Sequence, residues 1–507
     1  MSAGGCEQEA RDNDDSVKFV DLLFEMKLHN TQLGKQATND LVGQCLAKFD
    51  DQKAAPECRA ISLYTVLAQI RAGNESALVH VPDICQRLKS RSVLTQPVAD
   101  AGAEDFHRQI INAISVILEL FPEKLVDESF RPVMQYLIQL VSCKHVEFAI
   151  LACKFWMKYA GMPSNVTIRK HWMNLLLPEM PSLITALMNQ MSYRPAYAEH
   201  VQQFGSHCMN SADETSLSSN NFDTFANVRN LAAVAFEHVA RVYPDELVCA
   251  TFRPLLEKRI ESDLWSVKEA AIFALAAFTQ GAGTPEAMCD LYALLIPRVL
   301  DCYVDPHPLM RAIACLTMPK LVGRRLRGIK DPWSRVLTCT AKATHDSCVE
   351  VRRTAIRALS VMLAYGTPSC GAGRTSGVGR HAARLVDALV RAEQYDMDPN
   401  TRCVYFECVS HLVGRASNSL TADDMDRLMP PLIDAWKSQS WNRSMDTELT
   451  SSVLDPDFGI VPFSVALGTI ATYGKSLYAP FAECVFEKAC TDIEGCILML
   501  FIIGLFN

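Results

Sequence analysis

The sequence predicts an all-α chain, an array of two-helix units stacked into an α-solenoid. Three observations predict it. Apolar residues recur at helical period along most of the 507 residues. One pattern, a wide stripe with small residues at its centre, returns at a steady interval. Just ahead of each clear stripe, an Asp precedes a basic residue by five or six positions.

The stripe places apolar residues at i, i+3, i+4, i+7, i+8 and i+11, one face of an α-helix. Val228, Leu231, Ala232, Ala235, Phe236 and Val239 fit it. Val267, Ala270, Ala271, Ala274, Leu275 and Phe278 fit it again. Further copies start at Met310, Val351, Thr401 and Phe463. The small central residues let a second helix approach closely.

The charged pairs are Asp223 with Arg229, Asp263 with Lys268, Asp305 with Arg311, Asp346 with Arg352 and Asp396 with Arg402. The Asp is expected in the turn, capping the stripe helix. The basic residue then lies one turn in, exposed beside the stripe. In stacked units the Asp of one repeat can meet the Arg of the next, so these ten residues read as a structural ladder. Between the stripes lie the first helices of each pair, near 130–141, 172–191, 246–261, 287–302, 332–344, 380–392, 423–438 and 477–490. Pro132, Pro254 and Pro332 are read at helix starts or first turns. A two-helix period of about 40 to 47 residues is that of HEAT or armadillo repeats. The two-helix unit and the Asp-to-Arg turn favour HEAT. Residues 16–47, 57–71 and 106–121 read as helices of degenerate repeats without the anchor.

The chain divides accordingly. Residues 1–15 form an acidic, disordered start, and 16–194 hold amino-terminal repeats. A polar loop is inserted at 195–221, followed by central repeats over 222–365. A Gly-rich linker occupies 366–379, and carboxyl-terminal repeats run over 380–507, the last one incomplete. Residues 439–456 are a further polar insertion, carrying Trp441.

Composition fits a folded protein, with 49% hydrophobic and 21% charged residues. The net charge of −8 argues against a general nucleic-acid binder. The 19 cysteines follow no disulfide framework, and none has CxxC spacing. They read as small buried hydrophobes in a reducing compartment, cytosol or nucleus. The acidic start resembles neither a secretory signal nor a transit peptide. Residues 493–506 are strongly apolar but shorter than the roughly 17 to 25 needed to span a bilayer. They read as a repeat helix, and no membrane span is expected.

The chemical motifs fail one by one. Residues 371–379 are Gly-rich but lack the GK[ST] ending of a phosphate loop. Gly474, Lys475 and Ser476 have that ending, but the required upstream glycine is Thr469. No HExxH or GxSxG occurs. His200, His207 and Cys208 make at most a weak metal candidate. The basic run Arg324, Arg325, Arg327 and Lys330 reads as a solvated helix end. No catalytic residues, no metal and no cofactor are expected, and the chain is read as a non-enzyme. Trp172, Trp265, Trp333, Trp436 and Trp441 read mostly as core, with one or two open as partner anchors.

Several strings, in register, point to a family. NVRNLAAVAFEHVARVYPDELV at 227–248 and LWSVKEAAIFALAAFTQGA at 264–282 resemble repeats of the karyopherin-β2 nuclear import receptors, the transportins. So do HVEFAILACKFWMKYA at 145–160, LLPEMPSLITALMNQMSY at 176–193 and LMPPLIDAW at 428–436. The resemblance implies import of protein cargo through nuclear pores, with contacts to nucleoporins and residence in both cytoplasm and nucleus. It implies a monomer that binds a basic, extended localisation signal ending in Pro-Tyr. The concave face, lined by second helices, would grip that signal, and the GTP-bound small GTPase Ran would release it. By resemblance, Glu237 and Glu407 match acidic cargo-facing positions, and Phe273 and Ile313 apolar ones. Carboxylates on that wall would attract a basic peptide.

The sequence also departs from the family. Leu316 stands where the family has a cargo-contacting Trp, and Pro244 where it has a basic residue. The segment matching the family's acidic loop is short, with only Glu199, Asp213 and Glu214. Amino-terminal repeats that would meet Ran, and several carboxyl-terminal ones, have no counterpart in this sequence, as expected of a divergent or shortened receptor. A HEAT scaffold that holds a multiprotein complex together is the alternative from another class.

Overall fold

The computed structural model describes residues 35–89, 103–160 except 126 and 144, 165–193, 219–282 except 244, 289–323, 332–365 and 378–438 except 396 and 398, with 470 and 481 in isolation. The helices are all α or short 3-10 turns, and the described residues contain no strand. The chain forms two compact units, one of residues 1–190 with 224–243, the other of 191–223 with 244–507.

The first unit begins with α1 (Lys35–Asp50) and α2 (Pro56–Arg71). Pro56 opens α2, where its missing N–H is no loss. Gly73, at φ 73, turns the chain out of α2 in a conformation that a Cβ would strain. Arg59 is buried yet supported. Its Nε donates to the Phe49 carbonyl at 2.9 Å, and its guanidinium lies 4.4 Å over the Phe106 ring. It therefore closes the end of α1 and stacks on α5 at once.

Next come α3 (Glu75–Leu78) and α4 (Val81–Leu88), then α5 (Ala103–Leu120), α6 (Arg131–Val141) and α7 (Val146–Tyr159). The second helices α2, α5 and α7 stack side by side, and α6 pairs with α7. The first helix of the following repeat is broken in two. α8 (Val166–Leu176) is capped by the Asn165 side chain, and a 3-10 turn over Leu177–Glu179 leads into α9 (Met180–Gln190). The sequence reading made this a single helix over 172–191. Pro178 and Pro181 supply no N–H to the ladder, so the helix kinks there and starts earlier than expected. α10 (Ser219–Val242) follows.

Two expectations fail around α10. Residues 219–221 were read as the end of a loop but belong to the helix, and Asp223 lies inside α10, not in a turn ahead of it. The Asp223 side chain is outside the described residues, as are residues 195–218 of the inserted segment, 366–377 of the linker, Asp396 and 439–456.

The second unit is the more regular. Its first helices are α11 (Asp245–Ile260), α13 (Cys289–Asp301), α15 (Pro332–Ala343), α17 (Ala382–Glu393) and α19 (Ala422–Ser438). Its second helices are α12 (Trp265–Ala282), α14 (Pro308–Gly323), α16 (Val349–Tyr365) and α18 (Pro399–Ala416). α12, α14, α16 and α18 stack into one layer, and α13, α15, α17 and α19 into the other. Pro254, expected near a helix start, sits inside α11 instead, because the helix begins back at Asp245.

Between the layers, Phe252 stacks on Phe278 with ring centroids 4.8 Å apart. Tyr303 shares a 2.8 Å hydrogen bond with Thr340 across two repeats, which satisfies a buried hydroxyl on each side. Each large apolar side chain buried here contributes about 1.5–3 kcal/mol of transfer free energy. Thiols behave as part of this core: burial pushes Cys45, Cys85 and Cys302 up to about 11 and Cys153 up to about 12.

Candidate functional site

The second-helix layer of the second unit is the candidate binding face, and its register is set at the turns. At Asp305 the carboxylate accepts from the His307 N–H at 2.7 Å, and at Asp346 from the Cys348 N–H at 2.9 Å. Each Asp thus caps the helix that follows. The Arg one turn later folds back on the same turn. Arg311 Nη1 donates to the Asp305 carbonyl and Arg352 Nη1 to the Asp346 carbonyl, both at 2.8 Å. Arg311 also reaches forward, its Nε and Nη2 each 2.8 Å from an oxygen of Asp346 in the next repeat. Arg352 reaches forward to an aromatic partner, its guanidinium 4.3 Å over the Tyr395 ring.

Burial pushes the Asp346 carboxyl up, but the Arg311 fork and the Cys348 N–H outweigh it and hold it below the usual carboxylate range. The Arg311 guanidinium is correspondingly raised by its bond to Asp346, against burial. Arg311 and Arg352 are half-buried, where the sequence reading had them exposed. Asp263 is exposed and Lys268 half-buried, and neither forms an ion pair with a described residue. Arg229 is half-buried on α10, and Arg402 is exposed on α18.

These turns put α14 and α16 in phase, and the sequence spacing carries the same phase to α12 and α18. An α-helix turns about 100° per residue, so a position five residues beyond each anchor has the same heading on every helix. Those positions are Phe273, Leu316, Arg357 and Glu407. On α16 the heading is plain from burial: Glu350, Arg353, Arg357 and Val361 form the flank turned away from the core, with Arg357 exposed. On α14 the same positions are Leu309, Ala312, Leu316 and Lys320, with Ile313 one residue beyond Ala312. Glu407 and His411 occupy it on α18.

The four cargo positions carried over by resemblance fare differently. Phe273 and Glu407 share the heading of this flank and Ile313 lies beside it, but the three are only 4%, 6% and 6% exposed. Glu407 Oε2 accepts from the Ser360 hydroxyl of α16 at 3.4 Å. Glu237 lies in the other unit, on α10, with its carboxylate on the Arg241 guanidinium one turn along. Lys320, Arg353 and Arg357 share this flank and are not among the positions singled out by sequence. Their signal was present in the spacing from the anchors, once the anchors were used to phase neighbouring helices. The four second helices carry eight Lys or Arg against three Glu and no Asp, while the five first helices of the unit hold ten against eleven acids.

Among the described residues no cluster of His, Cys, Asp and Glu is arranged to hold a metal ion, and no helix is long and apolar enough to cross a membrane.

Solved karyopherin structures share this arrangement. An importin β crystal structure superposes with a TM-score of 0.63 at 12% identity, over 88% of this chain and 49% of that one. The fold is an importin-β-type solenoid. A second neighbour is Kap121p bound to Ste12p, with a TM-score of 0.62 at 14% identity over 91% of this chain and 40% of that one. By sequence, mouse Transportin-1 is 23% identical over 475 residues, 87% of this chain and 48% of the relative. By sequence the chain is similar to transportins, and it spans about half the length of the curated relatives it matches. No family model matches it.

Proposed function

We propose that the chain is a nuclear transport receptor of the transportin kind, which holds an extended segment of a cargo protein on its second-helix layer. The observation that carries this reading is the likeness to Transportin-1 along 87% of the chain. The solenoid supports it physically. Stacked helix pairs present a long, phased face on which each repeat offers the same few positions to a ligand, so an extended segment can be gripped at many points. Contacts with nucleoporins, regulation by Ran and movement between cytoplasm and nucleus belong to the same proposal. A binding role without catalysis fits a face of apolar and charged side chains.

The test is entry into nuclei. The chain is fused to an inert fluorescent tetramer too large to diffuse through pores and added to permeabilised cells with Ran and GTP. Accumulation at the nuclear rim and inside nuclei is the expected result. Exclusion of the fusion, alongside entry of a positive-control receptor, would remove the transport reading and favour the scaffold.

A further inference from the structure

We propose that Tyr395 is a phosphorylation site whose phosphate is held between two successive repeats by Lys342 and Arg391. The inference goes beyond the transport reading and does not depend on it.

Two observations carry it. The first is access. Tyr395 lies just beyond the last turn of α17, in the link to α18, and is 37% exposed. Tyr64, at 50%, is the other exposed tyrosine among the described residues, and it lies in the middle of α2. A kinase takes its acceptor residue in extended backbone. A link between helices opens to that shape locally, whereas Tyr64 requires α2 to unwind. In the sequence Tyr395 is flanked by Glu393, Asp396 and Asp398, a charge pattern that a kinase with a basic groove can select.

The second observation is the cationic setting of the hydroxyl. Tyr395 donates from its hydroxyl to the His345 carbonyl at 3.4 Å, so the oxygen that would carry the phosphate faces the turn of the preceding repeat. Lys342 lies in the last turn of α15, just ahead of that turn, and Arg391 in the last turn of α17. Both are exposed, and neither forms an ion pair with a described residue. Burial lowers the His345 imidazole, and the Arg391 and Lys342 cations lower it further, against Asp346. The two cations therefore converge on His345 from successive repeats. The Arg352 guanidinium, 4.3 Å over the Tyr395 ring, holds the ring in place. A phosphate adds close to two negative charges and three acceptor oxygens. Glu393 and the carboxyl end of α17 oppose that charge, and Lys342 and Arg391 offset them through charge-assisted hydrogen bonds.

The donor is ATP, used by a tyrosine kinase. The Tyr395 oxygen forms a bond to the γ-phosphorus, and the bond from that phosphorus to the β,γ-bridging oxygen breaks. ADP leaves, and the phenolic proton passes to the base of the kinase.

The experiment uses the full chain, ATP, magnesium and a tyrosine kinase domain chosen because it phosphorylates a peptide of residues 388–402. Mass spectrometry maps the product. Tyr395 should be the main acceptor, and Tyr395→Phe should abolish most of the incorporation. A folded chain that takes no phosphate at Tyr395, or takes it mainly elsewhere, overturns the site. Phosphorus NMR then reads the seat. The phosphate should titrate at a pH about 0.5 or more lower in the folded chain than in urea, because the cations favour its dianion. Lys342→Gln with Arg391→Gln should remove at least half of that difference, with circular dichroism unchanged. Equal titration in the folded chain and in urea, or no effect of the double substitution, overturns the role of the two cations. Nuclear entry tests the transport reading separately, so either can fail without the other.

Discussion

The guanidinium of Arg311 forks onto both carboxylate oxygens of Asp346, at 2.8 Å each, and so joins the second helix of one repeat to the turn of the next. Both side chains are 14% exposed. At that depth a bidentate pair outperforms a surface ion pair, because less solvent screens it. Removing one partner leaves the other charge half-buried. Asp346→Ala should therefore destabilise the second unit by about 2–4 kcal/mol in urea unfolding. Arg311→Lys, which loses the fork but keeps the charge, should cost about half as much. Additive effects of Asp346→Ala and Arg311→Ala in a double-mutant cycle would show that the two are not coupled.

The same pair sets an acid limit. The Asp346 carboxyl is held below the usual carboxylate range, so its contribution is complete above the unfolded value near pH 4 and is lost as pH falls through the folded value. Unfolding midpoints measured from pH 5 to pH 2 should fall less steeply in Asp346→Asn than in the unaltered chain.

His107 makes a different acid response in the first unit. It is fully buried on α5, with Nδ1 2.6 Å from the Tyr136 hydroxyl and its ring against Phe148. Burial lowers it to about 4. Between pH 6.5 and 4 the unfolded chain gains a proton that the folded chain refuses, so stability is lost as pH falls, by at most about 1.4 kcal/mol per pH unit. His107→Phe should remove that slope, and an unchanged slope in thermal unfolding would place the acid response elsewhere.

Phe278 tests the core between the layers. It is fully buried, with its ring stacked on Phe252. Phe278→Ala should cost about 3–5 kcal/mol, and Phe278→Leu clearly less. Equal losses for the two would mean that the ring stacking carries the site, not its volume.

The cysteines give a chemical readout of burial. With thiols pushed up to about 11, Cys45, Cys85 and Cys302 hold little thiolate at pH 8. Iodoacetamide should label them slowly in the native chain and at ordinary rates in urea. Rapid native labelling of all three would show that the two units open readily.

Much of the second unit was legible because one signal repeats in it. The stripes from Val267, Met310, Val351 and Thr401 each fall on a second helix, and the Asp305 and Asp346 turns repeat the same hydrogen bonds. Periodicity is copied from unit to unit, so errors in one repeat are corrected by the next. The first unit lacks the anchor, and its exceptions are local. α4 has only eight residues, two turns of helix, too short for a stripe to show. The break at Pro178 depends on which of several prolines falls at a helix start, and Pro254 shows that the residue type alone does not decide this. The candidate face is harder still. The resemblance supplies Phe273, Ile313 and Glu407 as single positions, and all three are buried, while the arginines near them emerge only when adjacent helices are phased against each other.

The complete burial of the middle of α12 has a consequence for how the chain is made. From Glu269 to Thr279 every residue is buried, and the stretch holds one charge. A helix apolar on all sides has no face it can show to water. On the ribosome, α12 emerges before α14, the neighbour that covers one of its sides. Until then it is a sticky segment and a natural client for a chaperone, and a nascent chain stalled at this point is expected to aggregate.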